Sequence, residues 1–243
     1  MSQSDQIVIW LREYAKAART SGFVFGLSGG VDSAVVAALA ARAVGPERTL
    51  GVLMPCQSLP EDARLGRLVA ETFHIPLENV PLDAAYEALL ATLPPSDVSM
   101  AAANIKPRLR MITLYYLAQS HDYLVIGSGN KTELSVGYFT KYGDGGVDLL
   151  PLGDLNKTQV WSLARELHVP KEIVDRPPTA GLWPGQTDEG EMGITYAELD
   201  RVLAGESAGI SAAKLEKVRQ MVTTSAHKRS MPPVFDCWGA TDV

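Results

Sequence analysis

The stretch "FVFGLSGGVDSAVVAALAAR", Phe23 to Arg42, constrains this chain more than any other. A β-prone apolar run meets two glycines, an aspartate and a serine, then continues as small apolar residues at helical density. A strand, a tight turn and a buried helix in that order open a parallel α/β sheet. Further strands are expected at Leu50–Met54, around Val80 and at Tyr123–Gly127. Helices are expected near Val31–Val44, Glu61–Phe73, Ala84–Leu93 and within Ser99–Gln119. This alternation predicts a doubly wound parallel sheet flanked by helices, a single domain with a C-terminal helical extension. In such sheets ligands lie beyond the carboxyl ends of the strands, where strand order reverses. If the first and fourth strands are neighbours, "SGGVDS" and "GSGNKTE" face one crevice.

The bulk of the sequence narrows the functional classes. The 243 residues carry a net charge of −6, which disfavours a broad nucleic-acid-binding face. The longest apolar run, around Ala34 to Ala41, is too short to span a membrane, and the first 20 residues have no export-signal pattern. Cys56 and Cys237 are far apart and the four histidines are scattered. That excludes a disulfide framework and points to a reducing compartment such as the cytoplasm. An N-terminal helix occupies 1–21, with Ile7, Trp10, Leu11 and Tyr14 at helical spacing. Residues 22–177 form the core, and 178–243 add a loop, helices and a tail. "RPPTAGLWPGQTDEGEMG" holds too many prolines and glycines for regular structure, and a loop of that length suits a lid. "LNKTQVWSLARELHV" reads as a helix capped by Asn156, and two more follow near Tyr196–Leu203 and Ser211–Thr224.

The loop is built for an anion. Gly29 and Gly30 permit positive φ and let backbone amides approach a ligand, and the following helix adds exposed N–H groups and its dipole. Ser28 and Ser33 offer hydroxyls. Neither GxxxxGK[ST] nor GxGxxG is present. Asp32 would repel a polyphosphate unless a cation lay between them, and Mg²⁺ commonly bridges carboxylates to phosphates. A first-turn acid that complements the helix dipole is the alternative. Glu133 follows the fourth strand as Asp32 follows the first, so the two make a plausible magnesium pair. Compensating positive charge would come from the metal and from Lys157, which could equally be a surface lysine.

Taken together these residues resemble the ATP-pyrophosphatase (PP-loop) superfamily, whose signature is SGGxDS. More narrowly they are similar to the ammonia-dependent NAD⁺ synthetases. "NIKPRLRM", "GYFTKYGDGGVDLLPLGDLNKTQV", "GLWPGQTDE" and "HKRSMPP" support the likeness, which extends from about Phe23 to Pro233. It implies amidation of deamido-NAD⁺ with free ammonia through an acyl-adenylate, with release of pyrophosphate and AMP. It also implies a homodimer acting on small molecules. By position, Gly26, Leu27, Ser28, Gly29, Gly30, Val31, Asp32 and Ser33 would form the ATP loop. Ser128, standing where threonine is usual, and Thr179 would contact ATP, Lys157 its phosphates, and Asp32 and Glu133 Mg²⁺. Residues between Pro55 and Asp62, near the expected adenine site, receive no assignment.

For deamido-NAD⁺ the likeness points to Arg108, Lys141, Asp148, His227 and Lys228. Arg108 and Arg110 lie about 200° apart on an ideal helix, which predicts that they do not line one site. Pro107 could start or kink that helix. Asp144 would bind ammonium and accept its proton, or simply shape the Asp-Gly turn. Arg108 as a surface ion pair, Asp148 as a turn residue and His227 as a helix-end cation remain open alternatives. No glutaminase domain is expected, because the first strand begins near Phe23. Two rivals stand beside this reading: another AMP-forming PP-loop enzyme, and a nucleotide-binding regulatory module without chemistry. The helices near Ile7–Tyr14 and Met111–Leu117 carry apolar residues suited to an interface or to the core.

Overall fold

In the computed structural model, residues 1–179, 181, 183 and 185–235 are described. Cys237 and the last stretch of the tail lie outside them. The elements run α1 (Gln3–Ala18), β1 (Gly22–Gly26), α2 (Val31–Val44), β2 (Thr49–Leu53), α3 (Pro60–Thr72), β3 (Leu77–Asn79) and α4 (Asp83–Thr92). They continue with α5 (Ser99–Ala103), α6 (Ile105–His121), β4 (Tyr123–Val125), α7 (Lys131–Val136) and α8 (Lys157–Glu166). The chain then forms α9 (Lys171–Val174), α10 (Asp188–Met192), α11 (Tyr196–Leu203) and α12 (Ala212–Thr224).

Among the described residues the strands form one four-stranded sheet in the order β3-β2-β1-β4, all parallel. The order reverses between β1 and β4, where Phe23 pairs with Leu124 and Val24 with Val125. The third strand ends at Asn79, just short of the expected Val80, whose N–H still donates to the Leu53 carbonyl at 2.8 Å. The fourth is shorter than expected. Its ladder nevertheless continues, because Ile126 bridges Leu149 in parallel and the Gly127 N–H donates to Leu149. The glycine-rich segment after β4 therefore returns to the sheet edge.

Side-chain alternation along β1 divides the core into two layers. Phe23, Phe25 and Leu27 pack with α1, α2, α3 and α8, whereas Val24 packs with Val52, Leu114 and Ala118. Burying each large side chain contributes about 2 kcal/mol, so the register of the central strand is strongly fixed. The small residues of α2 let it lie buried against α1, α8 and β1 together. A third cluster, centred on Tyr196 and Leu199, packs α11 against α7 and α12.

Two expectations need correction. The helix expected within Ser99–Gln119 is divided at Asn104, and Pro107 sits in the first turn of α6, where its missing N–H costs little. "RPPTAGLWPGQTDEGEMG" is not wholly irregular, since its end forms α10. Thr187 caps that helix by accepting from the Gly190 N–H, and Gly193 ends it at φ +68°. The prolines all lie upstream of the cap, so they do not oppose it. No helix among the described residues is long and apolar enough to cross a membrane.

Candidate active site

At the reversal of strand order, the β1–α2 loop opens into a cavity of about 650 Å³. Gly29 takes φ +76°, and a Cβ there would sit 2.7 Å from the Asp62 carbonyl oxygen, so glycine is required. Gly30 is the N-cap of α2 and makes no side-chain cap, which leaves the first-turn amides for a ligand. The Gly30 N–H lies 3.3 Å from Ser28 Oγ, while Ser33 Oγ donates to the Gly30 carbonyl at 2.9 Å. These bonds hold the loop open.

Asp32 and Glu133 converge as the strand order requires. The Lys157 ammonium donates to Asp32 Oδ2 at 2.5 Å and to Glu133 Oε1 at 3.2 Å. Asn130, fully buried, joins the two acids from behind. Its Nδ2 donates to Asp32 Oδ1 at 2.9 Å, and its Oδ1 caps α7 by accepting the Glu133 N–H at 3.0 Å. Burial pushes the Glu133 carboxyl above the usual range, and neighbouring Asp32 adds to this against the pull of Lys157. Burial draws the Lys157 pKa down, but the two carboxylates outweigh it and the net shift is upward. The lysine thus lines the cavity as a cation held by the acid pair. Two hard oxygen donors on one point fit a divalent ion such as Mg²⁺, with Lys157 as the charge it would share them with.

A second cation on this wall escaped the sequence reading. Arg176, just beyond α9, donates from Nη2 to Asp62 Oδ1 at 2.5 Å and from Nη1 to the Gly29 carbonyl at 3.4 Å. It spans from the loop to the start of α3. Thr179, three residues on, lines the cavity, as do Ser128 and every residue from Gly26 to Ser33 except Gly29, which turns toward α3.

The opposite wall comes from α6, the loop 137–146 and the short turn Ala226–Lys228. Arg108 Nη2 donates to the Lys141 carbonyl at 3.3 Å, and Lys141 Nζ donates to the His227 carbonyl at 2.6 Å. Lys228 Nζ donates to the Gly137 and Phe139 carbonyls, both at 2.7 Å. Gly137 makes this docking possible: a Cβ on it would fall 2.1 Å from that of Ser225. Arg110 also lines the cavity, bonded to the Met54 carbonyl and to Ser58 Oγ, contrary to the expectation from helical angle. Pro107, Arg108, Arg110, Met111 and Leu114 of α6 all line the cavity, so a broad arc of the helix faces it. Asp144 opens onto the same space, its Oδ1 accepting the Thr140 N–H at 2.9 Å. Partial desolvation at the cavity wall raises its pKa although the residue is exposed to the cavity, with Lys228 and Arg110 opposing the shift.

Asp148 is the predicted residue that the structure sets apart. It does not line the cavity of this chain. Its carboxylate accepts from the Val125 N–H at 2.8 Å and from the Tyr115 hydroxyl at 3.0 Å, fastening the returning segment to β4 and α6.

A parallel sheet with a glycine loop at its switch point and a lysine-bridged acid pair beside it defines an ATP-pyrophosphatase-type α/β protein. The chain belongs to the NAD synthase family, whose model matches residues 3–232. It is 51% identical over 96% of its length to an NH3-dependent NAD⁺ synthetase of Carboxydothermus hydrogenoformans, covering 96% of that protein. Its identity to the Syntrophomonas wolfei enzyme of the same name is 50%, over 95% of this chain and 94% of that one. Among solved structures, the NMN synthetase of Francisella tularensis superposes with a TM-score of 0.92 at 40% identity, covering 96% of this chain and 97% of that one.

Proposed function

We propose that the chain catalyses the ATP-dependent amidation of deamido-NAD⁺ to NAD⁺ with ammonia. The observation that carries this reading is the convergence of Asp32 and Glu133 on Lys157 beside the open amides of α2, in a chain of this family. A carboxylate does not react with ammonia, because its oxygen is a poor leaving group. The nicotinate oxygen therefore bonds first to the α-phosphorus of ATP while the bond to pyrophosphate breaks. Ammonia then bonds to the acyl carbon, and AMP departs with the shared oxygen.

Each part of the chain has a task in this sequence. The α2 amides and the Ser28 and Ser33 hydroxyls receive phosphate oxygens. Asp32 and Glu133 would hold Mg²⁺, which when bound supplies positive charge to the phosphates. Lys157 keeps the two acids together, and Arg176 braces the loop from Asp62. Arg108, Lys141 and Lys228 face the dinucleotide. Asp144 holds ammonium and takes one of its protons so that ammonia can attack, the second proton leaving with AMP as the amide forms. The upward shift of its pKa favours this base role.

A second reading is favoured by the high superposition on an NMN synthetase: the acyl substrate would be the mononucleotide of nicotinate. Purified protein with ATP, Mg²⁺ and ammonium, given each acyl substrate in turn, separates the two. NAD⁺ and AMP forming in equal amounts, with the higher kcat/KM on deamido-NAD⁺, is the expected result. Absence of AMP with either substrate would refute both.

A homodimer is part of the proposal, and α6 is its leading surface. Ile112 and Tyr116 are exposed there, on the helix that carries Arg108. Trp10 and Tyr14 of α1 are exposed too, but α1 packs in the core layer across the sheet from α6. One two-fold contact cannot simply use both.

A further inference from the structure

Tyr196 heads the fully buried side chains by volume, yet it does not line the cavity. It opens α11, far in sequence from the loop and the acids. Its ring lies beneath the Lys157 ammonium, 4.8 Å from nitrogen to centroid, and Trp161 of α8 meets that ring edge-on. Its hydroxyl stands 2.9 Å from Asp188 Oδ2 and 3.3 Å from Glu133 Oε1. One turn later, Asp200 shares the same helix face. Asp200 accepts from the Thr132 hydroxyl at 2.5 Å, and from the Thr158 N–H and hydroxyl at 3.0 and 2.7 Å. Thr132 Oγ1 in turn accepts the Lys157 N–H at 3.0 Å. Thus α11 grips the first turns of α7 and α8, which carry Glu133 and Lys157.

We propose that α11 is a positioning clamp, Tyr196 fixing the Lys157 ammonium and the Glu133 carboxylate, and Asp200 fixing the helix starts that bear them. The proposal rests on the reading of Lys157 and Glu133 given above. A lysine has a flexible four-carbon stem, and two carboxylates alone do not fix its direction. An aromatic face below the ammonium removes that freedom and adds attraction to a desolvated cation. The hydroxyl has one proton for two carboxylates. It is shared between them, Asp188 Oδ2 at the start of α10 taking the shorter contact and Glu133 Oε1 the longer. The end of the Thr179 segment is thereby tied through one phenol to the acid pair. Groups that orient a site from behind commonly change its affinity or turnover by ~10–100-fold.

The test compares wild type, Tyr196→Phe, Tyr196→Leu and Asp200→Asn as full chains. Thermal midpoint, MgATP affinity by calorimetry and steady-state kinetics are read for each. Tyr196→Phe keeps the ring and removes the hydroxyl. It is expected to weaken MgATP and lower kcat by about tenfold each, with KM for the acyl substrate unchanged. Tyr196→Leu loses more than Phe, because the cation then lacks its ring. Asp200→Asn lowers kcat in the same way, again without raising the acyl-substrate KM. Wild-type values in Tyr196→Phe overturn the clamp, as does a loss in which every constant worsens in step with the thermal midpoint. A wild type that binds MgATP but forms no amide sinks the proposed reaction instead, and the calorimetric ratio still decides the clamp.

Discussion

The two walls of the cavity hold their cations in opposite ways. Around the glycine loop, Lys157 lies between Asp32 and Glu133, and Arg176 is bound to Asp62. Across the cavity, Arg108, Lys141 and Lys228 rest on carbonyl oxygens. A cation matched by carboxylates has little net field to offer a phosphate. One resting mainly on neutral oxygens keeps more of its charge for an anion that enters, although Asp144 draws on Lys228. The loop wall therefore suits a phosphate that arrives with its own divalent ion. The opposite wall suits a phosphate that arrives without one, as the pyrophosphate of a dinucleotide does.

The sharpest way to break this contrast is Lys157→Ala. It leaves two facing carboxylates without their shared cation and should cost about 3–5 kcal/mol in denaturant unfolding, as loss of one partner from a buried ion pair does. Turnover should be abolished. Added Mg²⁺ should restore part of the stability in this variant and little in wild type; equal responses would show that the lysine and a divalent ion do not share a place.

Arg108→Ala acts on the other wall. Loss of one charge-assisted hydrogen bond should raise KM for the acyl substrate by about 10–100-fold and leave MgATP affinity alone. If MgATP weakened equally, the separation of the two walls would be wrong.

The smallest effect is in stability, at Asp144. Its folded pKa is raised by partial desolvation at the cavity wall, so the folded state mildly disfavours the charged form. Wild type should lose stability relative to Asp144→Asn as pH rises through the carboxylate range, since the unfolded chain ionises first. The expected difference is nil in acid and favours the variant at neutral pH, by chemical denaturation at each pH. The same variant should be slow in amide formation yet still release pyrophosphate.

Much of this architecture could be read from residues near one another in the chain. The glycine pair after an apolar run gave the loop, and the alternation of elements placed "GSGNKTE" opposite it. Asn130 was within reach too, because N-x-x-E after a strand is a capping box that aims the amide toward whatever lies beside the helix start. Arg110 was misjudged because the angle was taken the long way round: Pro107, Met111 and Leu114 fill the shorter arc between Arg108 and Arg110, and all of them line the cavity. Asp148 fitted a motif, but a motif does not say that β4 and Tyr115 claim its carboxylate. Arg176 and Tyr196 carried no local signal. Their partners lie 147 and 63 residues away, and only the packing of α9 and α11 brings them to Gly29 and Glu133.

The lysine between the acids has a consequence for the life of the protein before any nucleotide arrives. With Lys157 as an internal counter-ion, the two carboxylates can lie side by side without depending on a bound cation. The acid pair can therefore assemble as the chain folds. On the proposed reading, a magnesium complex would meet a finished socket, and loading would be a swap of one positive partner for another.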